Sequence, residues 1–409
     1  MLFTLTKNEL RKIFGRGKTY VVSILFVAFV ALLFIGNNIS ENRAKKANSP
    51  EGRVATLKEN ISWLNQDMKQ LEAKSASDSS VEAKKNDLKL SIDRAQAALD
   101  KLEKQIKEGT VTDDWKANLD QEITSLKQQI NDETQPDRYK SQLKTRLDEL
   151  NYYKTNDLKP IESWQIKGYN FIEQIIQILG MVFLAVGIAI FMSDMVSGEF
   201  TPPTMKFLII QPVSRGKVLL SKFIAVVISC VSLILSIEVV AFLLIGLTKG
   251  FGYAKMPIMF NAKYAFDMSK AQEGGGHQLV QVAGTGEMIP QWNFTIRMFL
   301  VQILFIVACC AFVFLISSLF KTSMISMAVT TSLFTLVQIL SQVLSPVKKI
   351  ANFLFTSYGD AGGLLSGYMA VQYNNPNMTL AFGIAVMIIT TIVFYIISHV
   401  VFTKRDILI

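Results

Sequence analysis

Thr19-Tyr20-Val21-Val22-Ser23-Ile24-Leu25-Phe26-Val27-Ala28-Phe29-Val30-Ala31-Leu32-Leu33-Phe34-Ile35-Gly36 is a run of residues without a single charge. A bilayer core about 30 Å thick is crossed by a helix of ~20 mostly apolar residues, so this run predicts a membrane span. It is too long for the apolar core of a cleavable leader, and Asn37-Asn38 offers no small-x-small cleavage pattern. Directly beyond it the composition inverts. Residues 41–168 hold 46 of the 75 charged side chains, 23 basic and 23 acidic, so the net charge of +9 lies wholly outside this block. A neutral block lacks the net basic face that phosphate binding needs, which excludes a nucleic-acid partner there. The whole chain of 409 residues is 50% hydrophobic and 18% charged, which points to a membrane protein carrying one large polar insertion.

Five more apolar stretches qualify as spans, near 171–192, 223–246, 297–320, 324–344 and 378–402. Their short flanks set an orientation. Lys7, Arg11, Lys12, Arg16 and Lys18 precede span one; Lys206, Arg215, Lys217 and Lys222 separate spans two and three; Lys321 separates four and five; Lys404 and Arg405 follow six. In a six-span count all of these fall on one side, and basic short flanks mark the cytoplasm. Both termini are therefore expected inside. The block 37–168 is expected outside, since long domains translocate largely regardless of charge. Outside loops at about 247–295 and 345–377 follow, the first holding a flexible turn at Gly274-Gly275-Gly276.

The polar block reads as helical. Leu57, Ile61, Leu64, Met68 and Leu71 recur at alternating four-three spacing, and so do Leu88, Ile92, Ala95, Leu99, Leu102 and Ile106. That is the seam of a coiled coil. The two seams are out of phase across Ser75–Ser80, and Ser79 with Glu82 has capping-box spacing, so a new helix is expected there. Trp115, Leu119, Ile123, Leu126 and Ile130 form a third stripe; beyond Pro136, Tyr139, Leu143, Leu147 and Leu150 form a fourth. One long hairpin and a squatter bundle are both compatible with these stripes.

Few residues could carry chemistry. Cys230, Cys309 and Cys310 lie in apolar runs and read as small packing residues. His277 and His399 are far apart and no cluster has metal-ligand spacing, so no metal is expected. Gly17-Lys18-Thr19 lacks the preceding strand and the earlier glycine of a phosphate loop, position 12 being Lys12, so any nucleotide hydrolysis belongs to another polypeptide. Residues 2–14 are amphipathic, with Leu2, Phe3, Leu5, Leu10, Ile13 and Phe14 assigned to one side and Lys7, Glu9, Arg11 and Lys12 to the other, as in an interfacial helix or an orientation anchor. Glu238 falls mid-way along span three, where an ionisable group is costly; it reads either as a substrate-pathway residue or as a helix–helix hydrogen-bonding group. Glu173 lies near the outer end of span two and reads as interfacial.

The segment after span two is the most informative. Thr201 is a good N-cap with Pro202 at the first helical position, and Met205, Phe207, Leu208, Ile209 and Ile210 then give about two apolar turns, ended by Pro212. Ser214 can cap the next helix. A short apolar helix facing water needs a surface to bury against, either its own bundle or a docked partner.

This segment resembles the loop of ABC-2 transporter permeases, roughly Glu-x-x-x-Gly-Thr, then Leu-Leu, then Pro-Val-Ser-Arg and a lysine before the third span. The matching positions are Glu199, Thr204, Leu208, Pro212, Val213, Ser214, Arg215 and Lys222; Pro203 replaces the glycine and stiffens the turn. Glu9-Leu10-Arg11-Lys12 resembles the family's connecting helix. The resemblance implies an all-α membrane protein of six transmembrane helices with a large extracytoplasmic helical, coiled-coil domain between helices one and two. Its parts would be a connecting helix at 1–18, a first span at 19–36, the outside domain at 37–168, and five spans in 169–409 with a coupling segment at 193–222. It implies a multi-pass protein of a bacterial plasma membrane, surrounded by lipid and paired as a homodimer or with a paralogous permease. A separate ABC ATPase, which alone holds ATP and Mg, would dock on Phe207 and Leu208 and drive an amphipathic substrate outward: a drug, a peptide antibiotic or a lipid-linked compound. The alternative is a surface scaffold or receptor resembling the phage-infection-protein group, in which the outside coiled coil is the working part.

Overall fold

The structure is a computed structural model that describes residues 2–73, 79–110, 114–132, 137–162, 164–200, 213–271 and 277–404. The described residues are 80% helical, and among them are six helices long and apolar enough to cross a membrane. These are Gly17–Asn48, Gly168–Glu199, Arg215–Lys249, Gln291–Leu319, Ser323–Val343 and Leu380–Lys404, hereafter spans one to six. Each matches its sequence-predicted apolar stretch, three containing it whole and the last three covering all but one or two of its residues. Helix α1 (Leu2–Phe14) precedes span one. Helices α3 (Pro50–Ala73), α4 (Ser79–Lys107), α5 (Trp115–Asn131) and α6 (Asp137–Thr155) fill the polar block, with span one counted as α2.

By contact the chain divides into two compact units. The smaller comprises Phe34–Gln121 and Ile161–Ile166. In it α3 and α4 lie side by side, and Lys58 near the start of α3 meets Glu103 near the end of α4 at 2.8 Å. The pair is therefore antiparallel, as in the squatter of the two arrangements. Leu57, Ile61, Leu64, Met68 and Leu71 are each less exposed than their neighbours, and so are Leu88, Ile92, Ala95, Leu99 and Leu102. The two apolar stripes are thus the facing sides. Lys58 beside Glu103 holds that carboxyl below its ordinary range, through its hydrogen bond and then its charge.

The larger unit comprises Met1–Leu33, Glu122–Pro160 and Lys167–Ile409. Span four is its hub, with 67% of its central window buried, against 11% for span one. In α6 the expected stripe faces inward, Leu143 and Leu150 being buried. Arg146 donates to Glu122 at 3.1 Å and to Glu149 at 2.9 Å, tying α6 to the middle of α5.

Two features depart from the expected loops. Four short strands lie among the described residues between Pro257 and Pro290, an addition to the all-α expectation. β1 (Pro257–Phe260) pairs antiparallel with β4 (Glu287–Pro290), and β2 (Tyr264–Ala271) pairs antiparallel with β3 (His277–Gln281). The expected Gly274–Gly276 turn lies outside the described residues. The second feature is the segment between spans five and six, which was expected as a loop and is instead packed into the bundle. Tyr358, Ala361, Leu364, Met369 and Tyr373 are all buried. Tyr358 donates its hydroxyl to the Asn352 carbonyl at 2.6 Å, and Asp360 caps a short helix by accepting from the Gly363 amide at 2.8 Å. Span two yields to this segment. It widens into a π-turn at Leu179–Phe183, where Gly180 lies against Gly359 backbone to backbone. A Cβ on either glycine would collide with the other's carbonyl oxygen.

Candidate coupling site

Three elements meet at the end of the larger unit that carries α1. They are α1 itself, the 3-10 turn Ser197–Phe200 that follows span two, and the first turns of span three. The face of α1 packed inward carries Thr6, Glu9 and Ile13, a three-four helical spacing. The sequence reading set Glu9 with Lys7, Arg11 and Lys12 on the polar side of this helix, and the structure corrects that for Glu9, which turns inward. Glu9 is buried, whereas Phe3 is 80% and Phe14 42% exposed.

The reason is a partner that helical periodicity does not reveal. Lys222 is only 1% exposed, and its ammonium lies 3.0 Å from Glu9 Oε2 and 2.7 Å from Glu199 Oε1. Lys12, half-exposed, stands 3.5 Å from Glu9 and 3.9 Å from Glu199. Two carboxylates and two ammonium groups make a neutral cluster, so each buried charge has an opposite one beside it. Burying charges without such pairing is prohibitive, and removing one partner of a buried pair costs about 3–5 kcal/mol. The cluster therefore pins α1 and the Glu199 turn to span three.

A second clamp lies one turn away in sequence. Asp194 accepts from Arg16 at 3.3 Å and from Lys18 at 3.2 Å, joining the start of span one to the end of span two. The backbone between Ser193 and Ser197 is fastened to two more spans. Ser317 of span four accepts from the Val196 and Ser197 amides at 3.1 and 3.0 Å and donates to the Ser193 carbonyl at 2.7 Å. Ser326 of span five donates to the same carbonyl at 2.9 Å. Sequence reasoning missed Asp194, Ser317 and Ser326, because isolated polar residues at span ends carry no spacing signal.

Of the residues named from sequence, Glu9, Lys12 and Glu199 converge on Lys222, and Arg11 does not: it is exposed on α1. Val213 is half-buried and Ser214 and Arg215 are exposed. Ser214 takes the N-cap position of span three as expected, but its hydroxyl makes no capping bond; its backbone carbonyl accepts from the Lys217 and Val218 amides instead. Thr204, Phe207, Leu208 and Pro212, with the whole expected helix Pro202–Gln211, lie outside the described residues.

Glu238 is fully buried, and its Oε1 accepts from Gln302 of span four at 2.6 Å. Glu173 of span two accepts from Gln291, the first residue of span four, at 3.2 Å. Cys230, Cys309 and Cys310 are buried free thiols.

A search of the curated proteins finds no match. A family model described as ABC-2 family transporter protein matches residues 3–407. That match takes in α1, the Glu199 turn and all six spans, the elements that the charged cluster and the serine clamps hold together. The chain therefore belongs to the ABC-2 family of transporter proteins, membrane components of transport that work with an ABC ATPase.

Proposed function

We propose that this chain is the permease subunit of an ATP-driven exporter, and that the Glu9–Lys222–Glu199 cluster passes motion from the ATPase to the spans. The observation that carries the reading is the cluster itself. It joins α1 and the turn leading into residues 201–212 to the base of span three, and the serine bonds extend the same rigid block to spans four and five. A pull on the 201–212 segment then moves several spans together and not a loose loop. In this reading both termini are cytoplasmic and α3–α6 lie outside, as the basic short flanks argue. ATP and Mg sit on the partner ATPase, and two permeases, identical or paralogous, enclose the path of an amphipathic substrate. Exposed apolar side chains on spans one and five, such as Leu32 at 67% and Leu336 at 54%, offer lipid- or partner-facing surface for such an assembly.

The test is co-purification with the ATPase together with ATPase and transport rates. Phe207→Ala and Leu208→Ala are expected to weaken ATPase binding, an interface anchor being worth ~2 kcal/mol or more. Arg215→Glu is expected to leave basal hydrolysis and abolish most transport. If all three variants bind the ATPase and transport normally, the coupling role is wrong, and a surface scaffold acting through α3–α6 becomes the better description.

A further inference from the structure

At the same end of the bundle as α1, but away from the charged cluster, the first turns of span three and the last turns of span six enclose a cleft of about 650 Å³. Its walls are of two kinds. Leu220, Ile396 and Val400 give it an apolar floor, while Lys217, His399 and Thr403 bring polar groups to it. No acidic side chain lines it among the described residues. Lys217 is exposed, so its ammonium is available at the lip. The imidazole of His399 sits directly on Gly216: a Cβ there would come within 2.7 Å of His399 Cε1. His399 Nδ1 is buried and has no hydrogen-bond partner among the described residues.

The cleft lies where two membrane-spanning helices meet the membrane surface, Arg215 being the first residue of one and Lys404 the last of the other. A cationic lip over an apolar floor at that depth matches one amphipathic ligand, a lipid with an anionic headgroup. Basic pockets between spans hold such headgroups, each lysine or arginine contributing about 1 kcal/mol. We propose that this cleft binds an anionic phospholipid of the adjoining leaflet, its phosphate at Lys217 and its acyl chain along Leu220, Ile396 and Val400. This goes beyond the transport reading and does not depend on it, since neither Lys217 nor Leu220 belongs to the Lys222 cluster.

The experiment uses the full chain purified in an uncharged detergent. Fluorescent phosphatidylglycerol and phosphatidylcholine are titrated in, anisotropy is read, and glycerol phosphate serves as competitor. Saturable binding with preference for phosphatidylglycerol is expected. Lys217→Gln should weaken it about fivefold, as the loss of one basic contact implies. Lys217→Arg should retain it, and Leu220→Trp, which fills the floor, should block it while melting as the wild type does. Equal binding of both lipids, or an unchanged Lys217→Gln, overturns the proposal. So does glycerol phosphate competing as well as the whole lipid, which would make this a free phosphate-ester site. If Leu220→Trp melts early, Ile396→Trp fills the same floor from span six, and lipid binding that survives in that variant also overturns it.

Discussion

Replacing Lys222 by methionine removes one positive charge and keeps nearly the whole apolar stem. What remains is Glu9 and Glu199, both buried, their carboxylates formerly 3.0 and 2.7 Å from one ammonium and now facing each other across its vacated place. Lys12, at 3.5 and 3.9 Å and half-exposed, compensates only weakly. A solvent-screened ion pair is worth about 0–1 kcal/mol, whereas a carboxylate stranded by loss of its buried partner costs about 3–5 kcal/mol. Against a typical stability of about 5–15 kcal/mol, Lys222→Met should cost a large share of the margin. The assay is thermal unfolding and the half-life of the full chain in detergent, with Lys12→Ala as the exposed comparison. Adding Glu9→Gln and Glu199→Gln to Lys222→Met should restore most of the loss, because neutral groups of similar shape replace a buried ion network at little net cost. A Lys222→Met variant that melts with the wild type would refute the buried-cluster reasoning. A triple variant as fragile as the single one would show that the loss came from packing and not from charge.

Gly180→Ala should lower yield and thermal stability sharply, since its methyl meets the Gly359 carbonyl and span two must shift; normal melting would deny the close approach. Glu238→Gln should preserve assembly, because the amide keeps an acceptor for Gln302, and should alter substrate-stimulated transport; unchanged transport across a substrate panel would reduce Glu238 to a packing group. A cysteine introduced as Ser79→Cys should react with an impermeant reagent on intact cells; labelling only after the membrane is broken would reverse the orientation.

The six spans, the helices of the polar block and the stripes they bury were legible in the sequence because each depends on a local property. Apolar run length decides a span, and three-four spacing decides a stripe, without reference to distant residues. The out-of-phase seams on either side of Ser75–Ser80 signalled that a new helix begins there, and left open how the two helices pack. Two regions escaped that logic. The apolar runs within residues 345–377 are too short and too interrupted by polar residues to register as spans, yet tertiary packing buries Tyr358, Asp360 and Tyr373. Span two gives no sequence sign of its π-turn, which falls where Gly180 packs against Gly359.

The candidate site divides in the same way. The sequence by itself determined which polar residues stand at the ends of the spans, because a bilayer tolerates charge only where a helix leaves it. It also carried the resemblance that selected Glu9, Lys12, Glu199 and Lys222 from among them. Only the tertiary structure decided that these four meet, that Arg11 stays out, and that α1 turns Glu9 inward and Phe3 and Phe14 outward. A hydrophobic stripe assigns a helix face by transfer free energy alone. A buried lysine two hundred residues away fixes where Glu9 goes, since an ammonium kept from water needs an opposite charge beside it.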